Sequence, residues 1–135
     1  MRSLVVATAL LLLTYASGLA AQEVESPQSW LTRSGYYRVS YKAELEPLTI
    51  NKIHDWIFHI ESADGVPIDN ATISVTGGMP NHNHGLPTDP RMTQTLGNGD
   101  YVMEGMRFHM HGYWELTVSV EADGRRDTVV IPLSI

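Results

Sequence analysis

The sequence predicts an all-β protein, an immunoglobulin-like antiparallel β-sandwich of about seven strands. Apolar and polar residues alternate with a period of two in short runs, and Gly, Pro, Asn and Asp punctuate the chain between those runs. No stretch shows the spacing of an amphipathic helix. At 135 residues, 43% hydrophobic and 18% charged, the chain suits one core of ordinary size and lies well away from the composition of disordered chains.

Residues 1–20 read as an export signal. Met1-Arg2-Ser3 is a positive start, Leu4 to Leu13 is an apolar run broken only by Thr8, and Tyr15 to Ala21 ends in small residues suited to cleavage after Ala20 or Ala21. An apolar stretch of about ten residues is short of the roughly twenty that span a bilayer. The product is therefore expected to be periplasmic or secreted, without stable membrane insertion after cleavage. Residues 21–34 are polar, carry Pro27 and a solitary Trp30, and predict a flexible lead-in.

The sandwich is expected over 35–135. Tyr37, Val39 and Tyr41 alternate with polar neighbours, and Leu45, Leu48 and Ile50 are read as the second member of an opening strand pair. Trp56, Phe58 and Ile60 share one face of the next strand, which the turn Ala63 to Pro67 ends. Ala71, Ile73 and Val75 form another, closed by Gly77-Gly78. After a Pro-rich loop, Gly97 to Asp100 turns the chain into Tyr101 to Phe108. Trp114, Leu116, Val118 and Val120 are the cleanest alternation, Asp123-Gly124 is a hairpin signal, and Thr128 to Leu133 closes the sheet.

A net charge of −6 argues against a nucleic-acid partner. With no cysteine, the chain has no disulfide framework, thiolate metal site or cysteine nucleophile. Soft-metal chemistry is left to Met and His. Four of the six histidines and four of the six methionines fall in two stretches, which singles those stretches out. One is the loop Met79-Pro80-Asn81-His82-Asn83-His84-Gly85-Leu86-Pro87; the other runs from Met103 and Met106 through Phe108, His109, Met110 and His111 to Gly112-Tyr113-Trp114.

Imidazole nitrogen and thioether sulfur together suit copper, Met favouring Cu(I) and His accepting both oxidation states. Zinc accepts His but rarely Met, and calcium or magnesium would want carboxylates that the loop lacks. In an extended segment the rings of His82 and His84 point the same way, and Pro80 and Pro87 restrict the loop that carries them. If the register of Trp114 extends backward, Met106, Phe108 and Met110 share the core face and His109, His111, Tyr113 and Glu115 the opposite one, unless Gly112 carries a bulge that resets the register. Met103 and Met106 are read chiefly as packing; His54, which shares the parity of Trp56 and Phe58, and His59, which faces the other way, are read as rim residues and not as ligands. His109, His111 and Glu115 imitate an iron-binding triad, yet no nucleophile elbow, phosphate loop or paired-carboxylate motif accompanies them, so no enzyme is expected.

The run Gly78 to Thr88, then Gly99-Asp100-Tyr101, then Gly105 to Leu116, resembles the YtkA-like and FixH-like exported bacterial domains from about Leu48 to the C-terminus. Met-Pro-x-His-x-His-Gly in a loop and Phe-x-Met-x-Gly-x-Trp entering a strand are both satisfied. The resemblance implies an immunoglobulin-like domain outside the cytoplasmic membrane, with FixH-like members linked to copper supply for respiratory oxidases. It implies Met79, His82, His84 and Met110 as ligands, with His109 and His111 as lesser ones. The expected function is an exported module that holds one copper ion, Cu(I) or Cu(II), and exchanges it with an exported or membrane protein. The alternative is a metal-free structural or protein-interaction domain.

Overall fold

A computed structural model describes residues 27–135. Among the described residues there are nine strands: β1 (Ser29–Leu31), β2 (Tyr37–Ala43), β3 (His54–Ser62), β4 (Thr72–Met79), β5 (His84–Gly85), β6 (Arg91–Gly97), β7 (Asp100–Met106), β8 (Tyr113–Ala122) and β9 (Arg125–Ser134). They form two antiparallel sheets, ordered β1-β2-β3-β7-β6 and β5-β4-β8-β9. Without the short β1 and β5, the order β2-β3-β7-β6 facing β4-β8-β9 is that of a constant-type immunoglobulin sandwich.

The alternation read from the sequence sets the inner faces. Val39, Trp56, Phe58, Ile60, Tyr101 and Met103 point inward from one sheet, and Ile73, Val75, Trp114, Leu116, Val118 and Ile131 from the other, all buried. Each such side chain contributes about 1.5–3 kcal/mol on leaving water, and together they fix the register of both sheets. Two phenols tie the layers at their ends. Tyr37 donates to the carbonyl of Arg125 (2.7 Å) and accepts from the amide of Ala122 (3.2 Å), while Tyr101 accepts from the amide of Ala71 (2.9 Å) and donates to the Ile68 carbonyl.

Four details depart from the expectations. Ser29–Leu31 is a strand paired to β2, not a flexible lead-in; Trp30 stacks on Tyr41 at 5.7 Å, and Tyr41 on Trp56 at 4.2 Å, so aromatic packing orders it. Residues 44–53 are a loop, where Leu45 to Ile50 was expected to be a strand. The edge strand β6 was not expected, because exposed Thr93, Gln94 and Thr95 leave it almost no apolar face. Finally, β7 stops at Met106 and residues 107–112 cross to the other sheet, so the register of Trp114 does not run back through them. The bulge sits near Gly105 (φ +86), where His54 opposes Met106 and Trp56 opposes Met103; both methionines are thereby buried. The expected signal lies outside the described residues. Among those residues, no helix is long and apolar enough to cross a membrane.

Candidate metal centre at the rim of the sandwich

Three connections gather at one end of the molecule. The loop 44–53 docks on the crossover 107–112 where the amide of Asn51 donates to the carbonyl of Phe108 (2.7 Å). The C-terminal Ile135 pairs with Gly112 in both directions (2.8 and 3.0 Å). Beside them stands the β4–β5 hairpin. Its turn closes with the amide of His82 on the carbonyl of Met79 (3.0 Å), Pro80 supplies the fixed φ of the turn's second position, and Asn83 takes the left-handed conformation (φ +52) that its short polar side chain tolerates.

The hairpin places Met79 opposite His84. Met79 continues the inward parity of Ala71, Ile73 and Val75, and it is 1% exposed. Its methyl lies where a side chain on Gly112 would be: a Cβ there would stand 2.9 Å from Met79 Cε. This expected ligand is thus a core residue whose sulfur is withdrawn from the surface. The parity that buries it was legible, but the strand was ended short of Met79, at Gly77-Gly78. Met110, the second expected sulfur, is half-buried against the core, and its carbonyl accepts the indole N–H of Trp114 (3.0 Å).

The imidazoles are arranged differently. His82 and His84 are exposed, with ring centres 6.3 Å apart and planes within 16°; they approach one another across a turn, not along an extended segment. His84 meets His109 edge to face at 5.6 Å, and His109 meets the buried Trp114 in the same manner at 5.5 Å. His82, His84 and His109 therefore form a row rooted on an indole. His111 is exposed and packs against none of these rings among the described residues. The role of Trp114 as the floor under His109 was missed; its place four residues after Met110, just beyond a glycine, was the available signal.

Two imidazoles that share an ion at about 2.0 Å from each nitrogen have ring centres about 5 to 6.3 Å apart. His84 with His109 falls inside that window, whereas the near-parallel rings of His82 and His84, stacked at 6.3 Å, do not face a common ion as they stand. His109 Nδ1 is buried and, among the described residues, has no hydrogen-bond partner. A buried nitrogen in that condition is uncommon and costly, and an ion would satisfy its lone pair. The side chains as they stand do not converge as a set: among the described residues, no group of three or more His, Asp or Glu is placed to hold a metal.

The remaining histidines serve the fold. His54, expected at the rim, is 3% exposed; its Nε2 accepts the indole N–H of Trp56 (2.8 Å) and its Nδ1 faces the carbonyl of Lys52 (3.2 Å), so both ring nitrogens are occupied. His59 lies between Asp100 (2.6 Å to Nδ1) and Glu61 (3.1 Å to Nε2). Burial pulls its pKa down, but hydrogen bonds to the two carboxylates outweigh that and raise it above the ordinary imidazole value.

The architecture and this rim define the class: a small immunoglobulin-like sandwich whose histidines cluster where the β4–β5 hairpin meets the β7–β8 crossover. Residues 34–119 match the YtkA-like family, and the chain belongs to that family. The matched span takes in both motifs and begins ahead of Leu48, where the resemblance was first placed. No curated protein sequence matches the chain. Among solved structures it is similar to a ZirS C-terminal domain, at 13% identity and a TM-score of 0.43, over 98% of this chain and 86% of that one.

Proposed function

We propose that the protein is an exported, non-catalytic copper-binding module that takes one copper ion at the rim and passes it to a partner by ligand exchange. The observation that supports this most is the row His82, His84 and His109, with an unpartnered buried nitrogen on His109. Exposure of His82 and His84 suits exchange, since an acceptor's ligands can reach the ion before the donor's leave. Met110 and His111 flank His109 in the crossover as further donors, while the sulfur of Met79 lies in the core.

Purified protein titrated with cuprous and cupric ions under a competing chelator should saturate at a single equivalent. His82→Ala combined with His84→Ala should abolish retention while leaving the circular dichroism and thermal midpoint unchanged, because both side chains are solvent-facing. Unchanged affinity in the double variant would reject the site. The second reading, a metal-free interaction domain, is favoured by the lack of a ready three-ligand group among the described residues; it predicts no retention of either ion by the unaltered protein.

A further inference from the structure

We propose that His59 is a protonation-dependent clasp at the end of the sandwich away from the rim. As an imidazolium it holds Asp100 and Glu61 together and ties the segment 62–69 to β3 and to the 97–100 turn; on losing its proton it lets that segment loosen. The inference is independent of the copper reading. β3 begins at the rim, where His54 opposes Met106, and His59 stands further along it, opposite Asp100 at the start of β7.

The demand for a proton comes from the partners. Nδ1 of His59 lies 2.6 Å from Asp100 Oδ1, and Nε2 lies 3.1 Å from Glu61 Oε1. An ionised carboxylate accepts and does not donate, while a neutral imidazole has a single N–H to give. Both contacts are hydrogen bonds only when both ring nitrogens carry protons. In the neutral ring one nitrogen lone pair faces a carboxylate oxygen, and the longer contact, to Glu61, is the one that opens. Burial works against the charged ring, but the two carboxylates overcome it and raise the pKa. The contribution of the clasp is therefore complete below the ordinary imidazole value of about 6.5 and is lost as pH rises through the raised one.

The ring is placed to transmit that change. The backbone of Glu61 bridges to that of Pro67, and the amides of Ser62 and Ile68 donate to the carbonyls of Val66 (2.8 Å) and Ile60 (3.0 Å), so the segment is fastened along β3 beside the clasp. On the other side, the Ile60 amide donates to the Gly99 carbonyl (2.8 Å) and the Gly99 amide to Asp69 Oδ1 (2.6 Å). A Cβ at Gly99 would stand 3.2 Å from both the His59 ring and the Pro67 side chain, so turn, ring and segment meet at one point. The charged groups around this point are mostly acidic. β7 contributes Asp100, and the segment contributes Asp64 and Asp69. On β2, Arg38 stands opposite Glu61, Ser40 opposite His59, and Lys42 two residues beyond; β6 sets Gly97 opposite Asp100. Loss of the imidazolium leaves Glu61, Asp69 and Asp100 beside one another, with Arg38 and Lys42 as the cations of the neighbouring strand.

The test follows the His59 ring by nuclear magnetic resonance as pH is raised through the imidazole range, together with hydrogen-exchange protection of the Ser62 and Ile68 amides. The proteins are the unaltered chain, His59→Gln and Glu61→Gln, with circular dichroism as the check on each fold. In the unaltered protein the ring should titrate above the ordinary value, and protection of both amides should fall along the same curve, by about tenfold for each unit of the elevation. His59→Gln should remove the pH dependence. Glu61→Gln should flatten it, because a side-chain amide can donate to a neutral Nε2 and accept from a protonated one, so either ring keeps the contact. A ring that titrates at or below the ordinary value would overturn the clasp. So would protection that holds steady through the titration of His59, or that falls equally in His59→Gln. The first two of these results need no variant, so a His59→Gln chain that misfolds does not spare the proposal.

Discussion

The carboxylate of Asp127 accepts the amides of Ser34 (2.9 Å), Tyr36 (3.4 Å) and Thr128 (2.9 Å), so one side chain pins the turn between β1 and β2 to the start of β9. Burial alone would raise its pKa, but the Thr32 side chain and these amides together hold it below the ordinary carboxylate value. The folded state therefore prefers the ionised form. Its contribution is present above the ordinary carboxylate pKa and is lost as pH falls through the lowered one. Asp127→Ala should cost about 2 kcal/mol at neutral pH, in the range of hydrogen bonds to a charged group, and its urea midpoint should fall less steeply on acidification than that of the unaltered protein. The sequence did not mark Asp127, because its partners lie 91 and 93 residues away and no local pattern encodes them. His54 teaches the same lesson: parity gave its face, but only the neighbouring indole shows that it is a satisfied core group.

Strand existence was legible where one face is buried and the other is not, as in β3, β4, β8 and β9. Strand ends were legible only in part, since glycine was read as a stop. Gly77 and Gly78 continue β4 instead, and the strand runs on to Met79, which lies inside the core. Gly112 at the other side of that contact has a positive φ of 133°, which an L side chain adopts only at a cost of about 1–3 kcal/mol. The steric conflict is smaller, because a Cβ at Gly112 would meet the mobile end of Met79. Gly112→Ala should thus lower stability by about 1–3 kcal/mol in chemical denaturation. Gly112→Ala should cost as much in a Met79→Ala background as in the unaltered protein; a clearly smaller cost in that background would show that crowding, not backbone conformation, is what Gly112 relieves.

The rim exists because the β7–β8 crossover leaves one sheet and enters the other, delivering His109 against a hairpin that belongs wholly to the second. The sequence named both stretches, yet it could not tell which atoms of each would face the shared edge; that depends on the crossover at 107–112, which has no strand register to extrapolate. An ion shared by His84 and His109 would join the hairpin to the crossover, and the crossover is braced by Asn51 and Ile135. Unfolding of either layer would then have to release it. By mass action, free ion at a hundred times its dissociation constant adds about 2.7 kcal/mol to the folded state, and in a domain of this size about 1 kcal/mol moves the midpoint by roughly 4–8 °C. Cupric ion should therefore raise the thermal midpoint of the unaltered protein by about 10 °C or more, and leave that of the His84→Ala, His109→Ala variant where it was. A rise of equal size in that variant would mean that the ion stabilises the sandwich from somewhere other than the rim.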